Sequence, residues 1–257
     1  MYETILYGTM PENIHVLTIN RPEANNKLSI PCMRELIDAI GKCSEDKSCS
    51  CIMLTGYGEV FCCGGELGDF RIKSALDIKA FGAALIDLFL CIRKCPKPVV
   101  AVVNGNAFGG GFSLVEACDL AVADENALFA VPEILDGLAP AIGLSGIFSN
   151  LTKKQVMELG LLGKKLSAGE ALALGMINAV ASKENLMEKA VESASFFARA
   201  NPTCIRLFKE MYYDMEMCQF ENRLKIGQSM LIAMLMSDDC REVLDSKDEN
   251  RAPVWKG

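Results

Sequence analysis

The chain has 257 residues and a net charge of −7, an acidic balance that argues against a general nucleic-acid-binding protein. Hydrophobic residues make up 51% and charged residues 23%, which is typical of a globular chain with a sizeable core and excludes a disordered one. No apolar run approaches the ~20 residues that a membrane-spanning helix needs. The N-terminal stretch carries Glu3 and Glu12 and lacks the basic start of a signal peptide, so none is expected.

The chain contains 12 cysteines but a single histidine, His15. The cysteines are irregularly spaced and include no Cys-x-x-Cys pair, so the sequence predicts no metal site. Without an export signal we expect reduced thiols in the cytoplasm, with residues such as Cys118 and Cys204 filling the core. His15 lies at a strand position without a nearby histidine or cysteine, and we expect a structural role for it.

The first half of the chain alternates strands with helices. Strands are predicted at 14–19, 51–55 and 99–103 because apolar residues alternate or run continuously there. One helix is predicted to start near Ser29 and Pro31, and a second spans 76–92. This order predicts parallel strands joined by helical crossovers, and therefore an α/β fold.

The second half of the chain changes from mixed to helical. Its predicted elements are strands at 120–123, 128–131 and 177–180, followed or interrupted by helices at 153–162, 168–174, 184–199, 202–215, 216–236 and 238–246. The composition shift near residue 184 divides the chain into a core, 1–183, and a helical region, 184–257. An apolar stripe that includes Met230, Leu231 and Leu235 is interpreted as core or as a subunit interface.

Two glycine-rich turns follow predicted parallel strands. Gly109 to Gly111 comes after strand 99–103, and a turn from Phe61 to Gly65 comes after strand 51–55. Such turns expose backbone N–H groups at the sheet edge where ligands bind. Two of these groups could bind one oxyanion, each donor lowering a barrier by roughly 2.7–4 kcal/mol. The alternative is that both are tight turns whose glycines serve packing.

One acidic residue, Glu133, stands out near these turns. It follows a predicted strand, directly after Pro132, and its neighbours in the sequence are apolar. Apolar surroundings raise the pKa of a carboxyl group, which suits proton transfer near neutral pH. The alternative is an exposed loop glutamate. A Ser-His-Asp triad is not expected, because the sole histidine is remote from any serine-bearing turn.

At these residues the chain resembles the enoyl-CoA hydratase/isomerase family, or crotonase superfamily. The matching motifs, in order, are 20–24 (NRPEA), 61–67 (FCCGGEL), 97–105 (KPVVAVVNG), 107–112 (AFGGGF), 118–120 (CDL), 129–133 (FAVPE), 168–171 (AGEA) and 253–257 (PVWKG). The resemblance implies a core of repeated ββα units and a helical C-terminal region that builds trimers, often paired into hexamers. It further implies acyl-CoA substrates, with coenzyme A as part of the substrate and no metal or redox cofactor.

The resemblance also assigns roles to particular positions of this chain. The two oxyanion-binding N–H groups of the family fall on Cys63 and Gly110, and the acid/base on Glu133. Coenzyme A is expected to lie along residues 24–27 and 64–67. The substrate-binding residues implied are Ala24, Gly64, Gly65, Glu66, Leu67 and Ser113. Lys27 is interpreted either as a phosphate contact or as a solvated loop lysine.

One departure from the family bears on the reaction. Hydratases of this family use two glutamates, and Ser113 occupies the position of the first. Glu116, one turn further along the predicted helix, could replace it, and Asp136 is a further unusual acid. A single acid is enough to move a double bond, so the sequence predicts isomerisation of an enoyl-CoA.

Three alternatives to isomerisation stay open. The first is a hydratase or dehydratase that holds water between Glu133 and Ser113. The second is a dehydratase or decarboxylase acting on a polyketide thioester bound to a carrier protein, which the segment 21–26 suggests. The third is a protein that binds CoA esters without chemistry. No nucleic-acid or membrane partner is expected.

Overall fold

The computed structural model of the chain describes residues 2–68, 72–144, 146–147, 151–216 and 218–256. Gly257, the last residue of the PVWKG motif, lies outside the described residues. In the described ranges the strands are β1 (Ile5–Met10), β2 (Ile14–Ile19), β3 (Cys51–Gly56), β4 (Val60–Cys62), β5 (Val99–Val103), β6 (Asn106–Phe108), β7 (Leu120–Asp124), β8 (Leu128–Ala130), β9 (Leu166–Ser167) and β10 (Ala179–Ala181).

Helices connect these strands and follow them. They are α1 (Ile30–Glu45), α2 (Ala75–Lys94), α3 (Gly110–Ala117), α4 (Lys153–Leu162), α5 (Ala168–Ala173), α6 (Leu186–Arg199), α7 (Pro202–Glu216), α8 (Phe220–Leu235) and α9 (Asp238–Asp248). The expected start of α1 is confirmed, because the Ser29 side chain accepts a hydrogen bond from the N–H of Cys32 and proline stands in the first turn. None of the described helices has both the length and the apolar character needed to cross a bilayer.

The strands form two sheets. The larger has the order β1-β2-β3-β5-β7-β10, with β1 antiparallel to β2 and the other neighbours parallel. The smaller has the order β4-β6-β8-β9, in which β4, β6 and β8 are parallel. The chain thus passes repeatedly from the larger sheet through the smaller one to a helix, as in β3-β4-α2 and β5-β6-α3. The α/β class and the repeated ββα units are confirmed.

The continuous apolar runs at β3, β5 and β7 are strands as predicted, because both faces of the parallel sheet are buried. The sequence did not indicate β1, β4 or β6. Most of β1 is exposed, and β4 and β6 contain three residues each beside glycine turns. Such short segments are strands because they pair with their neighbours, and they are too short to show an alternating hydrophobic pattern in the sequence.

Helices cover both faces of the larger sheet. Helices α1, α2 and α3 bury one face, and α6 buries the other through Leu186, Ala190 and Ala194 against Met53 and Val100. The first helix of the predicted C-terminal region therefore completes the core of the sheet. The division at 183/184 stays a prediction. The predicted helix 216–236 begins at Phe220 instead.

Candidate active site

The first glycine turn connects β6 to α3. Gly109 has φ 52° and ψ −122°, a conformation open to glycine, and Gly110 is the first residue of α3. The N–H of Gly109 donates to the carbonyl of Ala130 at 2.8 Å, which ties the turn to the end of β8. The turn is therefore held between the neighbouring strand of the smaller sheet and its own helix.

The second glycine turn follows β4 and lies against the first. Gly64 has φ +99°, so this position also favours glycine. A Cβ atom built on Gly110 would lie 3.6 Å from the nitrogen of Gly65 and 3.7 Å from the carbonyl carbon of Gly64. The structure brings the two turns together, because the parallel strands β4 and β6 that precede them are paired.

The two predicted oxyanion donors differ in this structure. The N–H of Cys63 donates to the carbonyl oxygen of Asn25 at 3.1 Å, so this donor is engaged within the protein. Gly110 is the first residue of α3, where a backbone N–H has no partner within the helix. A thioester oxygen bound here would share or replace the Asn25 carbonyl as the acceptor of the Cys63 N–H. The oxyanion role of both residues stays a prediction.

Glu133 lies beside the two turns in the 3-10 turn Pro132–Asp136, one residue after β8. A Cβ atom on Gly109 would come within 2.8 Å of Glu133 Oε1, so the carboxylate lies against the glycine turn. Its other oxygen, Oε2, is buried and has no hydrogen-bond partner in the described structure. Burial raises the pKa of Glu133, and the nearby charge of Asp136 adds to the rise while the Glu133 N–H opposes it.

Ser113 lies in the same cluster but its hydroxyl is occupied. Ser113 is 5% exposed. Its hydroxyl is the donor to two carbonyl oxygens, that of Gly109 at 3.2 Å and that of Gly143 at 3.0 Å. A Cβ atom on Gly143 would lie 3.0 Å from Ser113 Oγ and 3.7 Å from Glu133 Oε1. The two side chains therefore border the same glycine.

The two further acids occupy different surroundings. Glu116 is half-buried on α3, and a Cβ atom on Gly146 would lie 3.1 Å from its Cβ. Asp136 is exposed. The charge of Asp136 acts on Glu133 by adding to the rise of its pKa. The suggestion that Glu116 replaces the missing glutamate stays a prediction.

The loops expected to hold coenzyme A run side by side. Leu28 and Gly65 form a parallel bridge, with the N–H of Leu28 donating to the Gly64 carbonyl at 2.8 Å. Arg21 pairs with Glu66 at 2.8 Å across the two loops. Ala24 is the last residue of the short 3-10 turn Pro22–Ala24, which belongs to the first of these two loops.

A cavity of about 240 Å³ adjoins the second loop. It is lined by Ile30, Pro31, Glu66, Leu67, Lys73, Asp77, Ile78, Ala80 and Phe81. Phe81 also lies against Gly65, since a Cβ atom there would be 2.5 Å from the Phe81 ring. Two predicted substrate-binding residues, Glu66 and Leu67, therefore face a space beside the glycine turns.

Sequence reasoning missed the part played by Asn26. Its side chain is fully buried, accepts from the N–H of Arg21 at 2.9 Å, and donates to the carbonyls of Tyr57 and Val60 at 3.0 and 2.6 Å. It ties the loop after β2 to the turn before β4. A polar residue in a polar segment carries no local sign that it will be buried.

The two cysteines of the second turn behave as packing residues. Cys62 is buried, and burial raises the pKa of its thiol to about 12. Cys63 is half-buried, and burial raises its pKa as well, although Lys27 opposes the rise. Both thiols are therefore protonated near neutral pH, which disfavours a nucleophilic role for either side chain.

Comparison with known proteins extends the resemblance over the whole chain. A family model described as enoyl-CoA hydratase/isomerase matches residues 9–257. The mevalonyl-coenzyme A hydratase sidH of Aspergillus fumigatus is 32% identical, covering 95% of this chain and 92% of the relative. The carnitinyl-CoA dehydratase of Proteus mirabilis is also 32% identical, covering 96% of this chain and 100% of the relative.

Solved structures agree in fold. An enoyl-CoA hydratase from Mycobacterium smegmatis superposes with a TM-score of 0.92 at 28% identity, covering 99% of this chain and 100% of that one. The family-model match over residues 9–257 includes both glycine turns and the 3-10 turn that carries Glu133. The chain therefore belongs to the enoyl-CoA hydratase/isomerase family, the crotonase superfamily of acyl-CoA enzymes.

Proposed function

We propose that this protein isomerises the double bond of an enoyl-CoA thioester. Glu133 removes a proton from the α-carbon, and the electrons of the broken C–H bond delocalise into an enolate. The N–H groups of Gly110 and Cys63 bind the enolate oxygen. Glu133 then returns the proton at the γ-carbon, so the double bond moves by one position and no atom is gained or lost.

The observation that carries this proposal is the position of the Glu133 carboxylate. It lies against Gly109 at the contact of the two glycine turns, and its Oε2 is buried without a partner in the described structure. Burial raises its pKa, which suits a group that must both accept and return a proton. The Ser113 hydroxyl, at the position of the first glutamate of hydratases, is engaged with main-chain carbonyls.

Hydration or dehydration is the second candidate, and the names of the relatives favour it. Several are named hydratases or dehydratases, including a short-chain-enoyl-CoA hydratase from Clostridium acetobutylicum that is 28% identical. Ser113 and Glu133 both border Gly143, where a water molecule could lie between them. A carrier-protein thioester is a further substrate form for either reaction.

A panel of 2-enoyl and 3-enoyl thioesters, on coenzyme A and on a carrier protein, distinguishes these functions. In deuterated water an isomerase exchanges hydrogen at the α- and γ-carbons. In heavy-oxygen water only a hydratase incorporates the label. The isomerase proposal fails if oxygen is incorporated without γ-exchange. If the protein binds these esters and catalyses neither reaction, it is a non-catalytic binding protein.

We also propose that the protein is a trimer or a pair of trimers, with coenzyme A entering only as part of the substrate. The support is the apolar surface of α8, where Phe220, Leu224, Leu231, Ile232 and Leu235 are exposed in the single chain. Light scattering should give a mass of three or six chains, and Leu231→Lys should lower it. A monomeric wild-type protein contradicts this proposal.

A further inference from the structure

A cluster of one histidine and two cysteines lies outside the glycine turns, next to the beginnings of β2 and β3. His15, Cys43 and Cys49 are 5%, 0% and 2% exposed, and one donor atom from each lies within 4.8 Å of the other two. His15 comes from β2, Cys43 from the last turn of α1, and Cys49 from the segment that leads into β3. Three separate elements thus bring soft donor atoms together.

We propose that His15, Cys43 and Cys49 bind a thiolate-preferring d10 metal ion such as Zn²⁺. The His15 Nδ1 and Cys43 Sγ atoms are 3.5 Å apart. Donors at about 2.3 Å (sulfur) and about 2.0–2.1 Å (nitrogen) from a tetrahedral ion are separated by about 3.6 Å. The pair therefore needs almost no movement to take two ligand positions, and both thiols release their protons when the ion binds.

The histidine ring is already oriented as a ligand would be. Its Nδ1 faces Cys43, and its Nε2 lies 3.8 Å from Asp46 Oδ2 on the opposite side of the ring. Metal-bound histidines usually direct their second nitrogen toward a carboxylate or carbonyl group, directly or through water, and this orients the ring and makes it a better ligand. Asp46 is well placed for that purpose at the end of α1.

The Tyr7 hydroxyl borders the fourth coordination position. It lies 2.5 Å from His15 Nδ1 and 3.8 Å from Cys43 Sγ, and the tyrosine is 43% exposed. The Tyr7 hydroxyl is the hydrogen-bond partner of His15 Nδ1, and a bound ion would replace it as the partner of that nitrogen. The phenol then faces the ion, and its exposed edge provides the path by which the ion reaches the buried donors.

The proposed site serves structure and not the reaction. In the parallel pairing of β2 with β3, His15 lies opposite Ile52, near the beginning of both strands. The candidate active site, in contrast, lies in the turns that follow the C-terminal ends of β4, β6 and β8. A bound ion would link β2, α1 and the start of β3 without touching the acyl-CoA site, so it should increase stability and leave turnover unchanged.

No sequence pattern indicated this site. His15 and Cys43 are 28 residues apart, and Cys43 and Cys49 do not have the close spacing of zinc motifs. The expectation that the chain holds no metal depended on such spacing. Only the packing of α1 on the sheet brings the three residues together.

The test uses the full-length protein, stripped with a chelator under reducing conditions and titrated with Zn²⁺ or Cd²⁺. At a metal concentration of about 100 Kd, Tm should rise by roughly 5–10 °C. Cd²⁺ should add an ultraviolet thiolate charge-transfer band at one equivalent. Both effects should be lost in Cys43→Ala/Cys49→Ala and weakened in His15→Gln. Cys91→Ala is the matched control, because this half-buried cysteine lies outside the cluster.

A second measurement does not depend on the folding of variants. Wild-type crystals soaked in Cd²⁺ should show anomalous scattering between His15, Cys43 and Cys49. The proposal is overturned if no peak lies there, or if metal raises Tm equally in the wild type and in a folded Cys43→Ala/Cys49→Ala variant. Isolation of the protein with a disulfide between Cys43 and Cys49 under reducing conditions would also overturn it.

Discussion

Glu133 Oε1 occupies the space that a side chain on Gly109 would need, and this arrangement places the acid beside the glycine turn. A Cβ atom on Gly109 would lie 2.8 Å from Glu133 Oε1 and 3.4 Å from its carboxyl carbon. Real Cβ atoms do not approach an oxygen so closely, so either the carboxylate or the turn would have to move. The position of Glu133 thus depends on the absence of a side chain at Gly109.

The first prediction tests this arrangement with Gly109→Ala. The substitution should displace the Glu133 carboxylate and reduce α-proton exchange by at least about 100-fold, because a misplaced base loses its alignment. It should also cost about 1–3 kcal/mol of stability, since φ at Gly109 is positive. Gly169→Ala, with open space around it on α5, is the control and should be neutral or slightly stabilising. Deuterium exchange and thermal unfolding measure both effects, and equal behaviour of the two variants contradicts the prediction.

The second prediction concerns Glu133→Gln. The amide keeps the shape of the side chain but cannot carry the proton, so isomerisation should fall by about 100–10,000-fold while the fold is retained. In the wild type, kcat/KM should decrease as pH falls through a pKa above the ordinary value of 4.5, because burial raises the pKa of this group. Steady-state rates across pH provide the measurement, and unchanged activity in the variant would rule out the assigned role.

A third prediction follows from the same pKa for stability. A raised pKa means that the folded chain holds the Glu133 proton more tightly than the unfolded chain does. The neutral carboxyl is therefore tolerated below pH 4.5, and stability is lost as pH rises through the folded-state pKa. Glu133→Gln should raise Tm above that of the wild type at neutral pH, with the difference vanishing in acid. A lower Tm for the variant at neutral pH would contradict this.

The fourth prediction separates isomerisation from hydration at Ser113. Removing its hydroxyl leaves the carbonyls of Gly109 and Gly143 without this donor, so Ser113→Ala should cost about 1–3 kcal/mol. Isomerisation should change by less than about 10-fold, whereas a hydratase that holds water at Ser113 should lose about 100-fold. Ser229→Ala is the control, since Ser229 makes the same type of bond to Lys225 on an exposed helix face. Unfolding and turnover are measured for both variants.

The fifth prediction concerns a largely buried ion pair between α7 and the residue before β7. Lys209 Nζ contacts Asp119 Oδ2 at 2.6 Å, and Lys209 is 8% exposed. Lys209→Met leaves the Asp119 carboxylate, whose side chain is 18% exposed, with the Val99 N–H but without its cation, and should cost about 3 kcal/mol. Arg206→Ala on the same helix, which breaks an exposed pair with Glu210, should cost at most about 0.5 kcal/mol. Chemical denaturation compares the two, and similar losses would show that burial does not matter here.

The sequence alone determined the fold class, the family and the main strands. Continuous apolar runs such as β3 and β5 are strands because both of their faces are covered. Burial on both faces requires consecutive apolar residues, and these can be recognised within the segment itself. The glycines at 109–111 and the acid after Pro132 were equally visible, since each of these features occupies only a few adjacent positions. The start of α1 was readable for the same reason.

The tertiary structure alone decided which of these local features meet. The pairing of β4 with β6 brings Gly64 against Gly110. The Asn25 carbonyl accepts a hydrogen bond from the N–H of Cys63, and no sequence pattern indicated this interaction. The packing of α1 on the sheet likewise gathers His15, Cys43 and Cys49. Contacts between distant residues depend on strand order and helix packing, which arise from the burial of the whole core and not from any single segment.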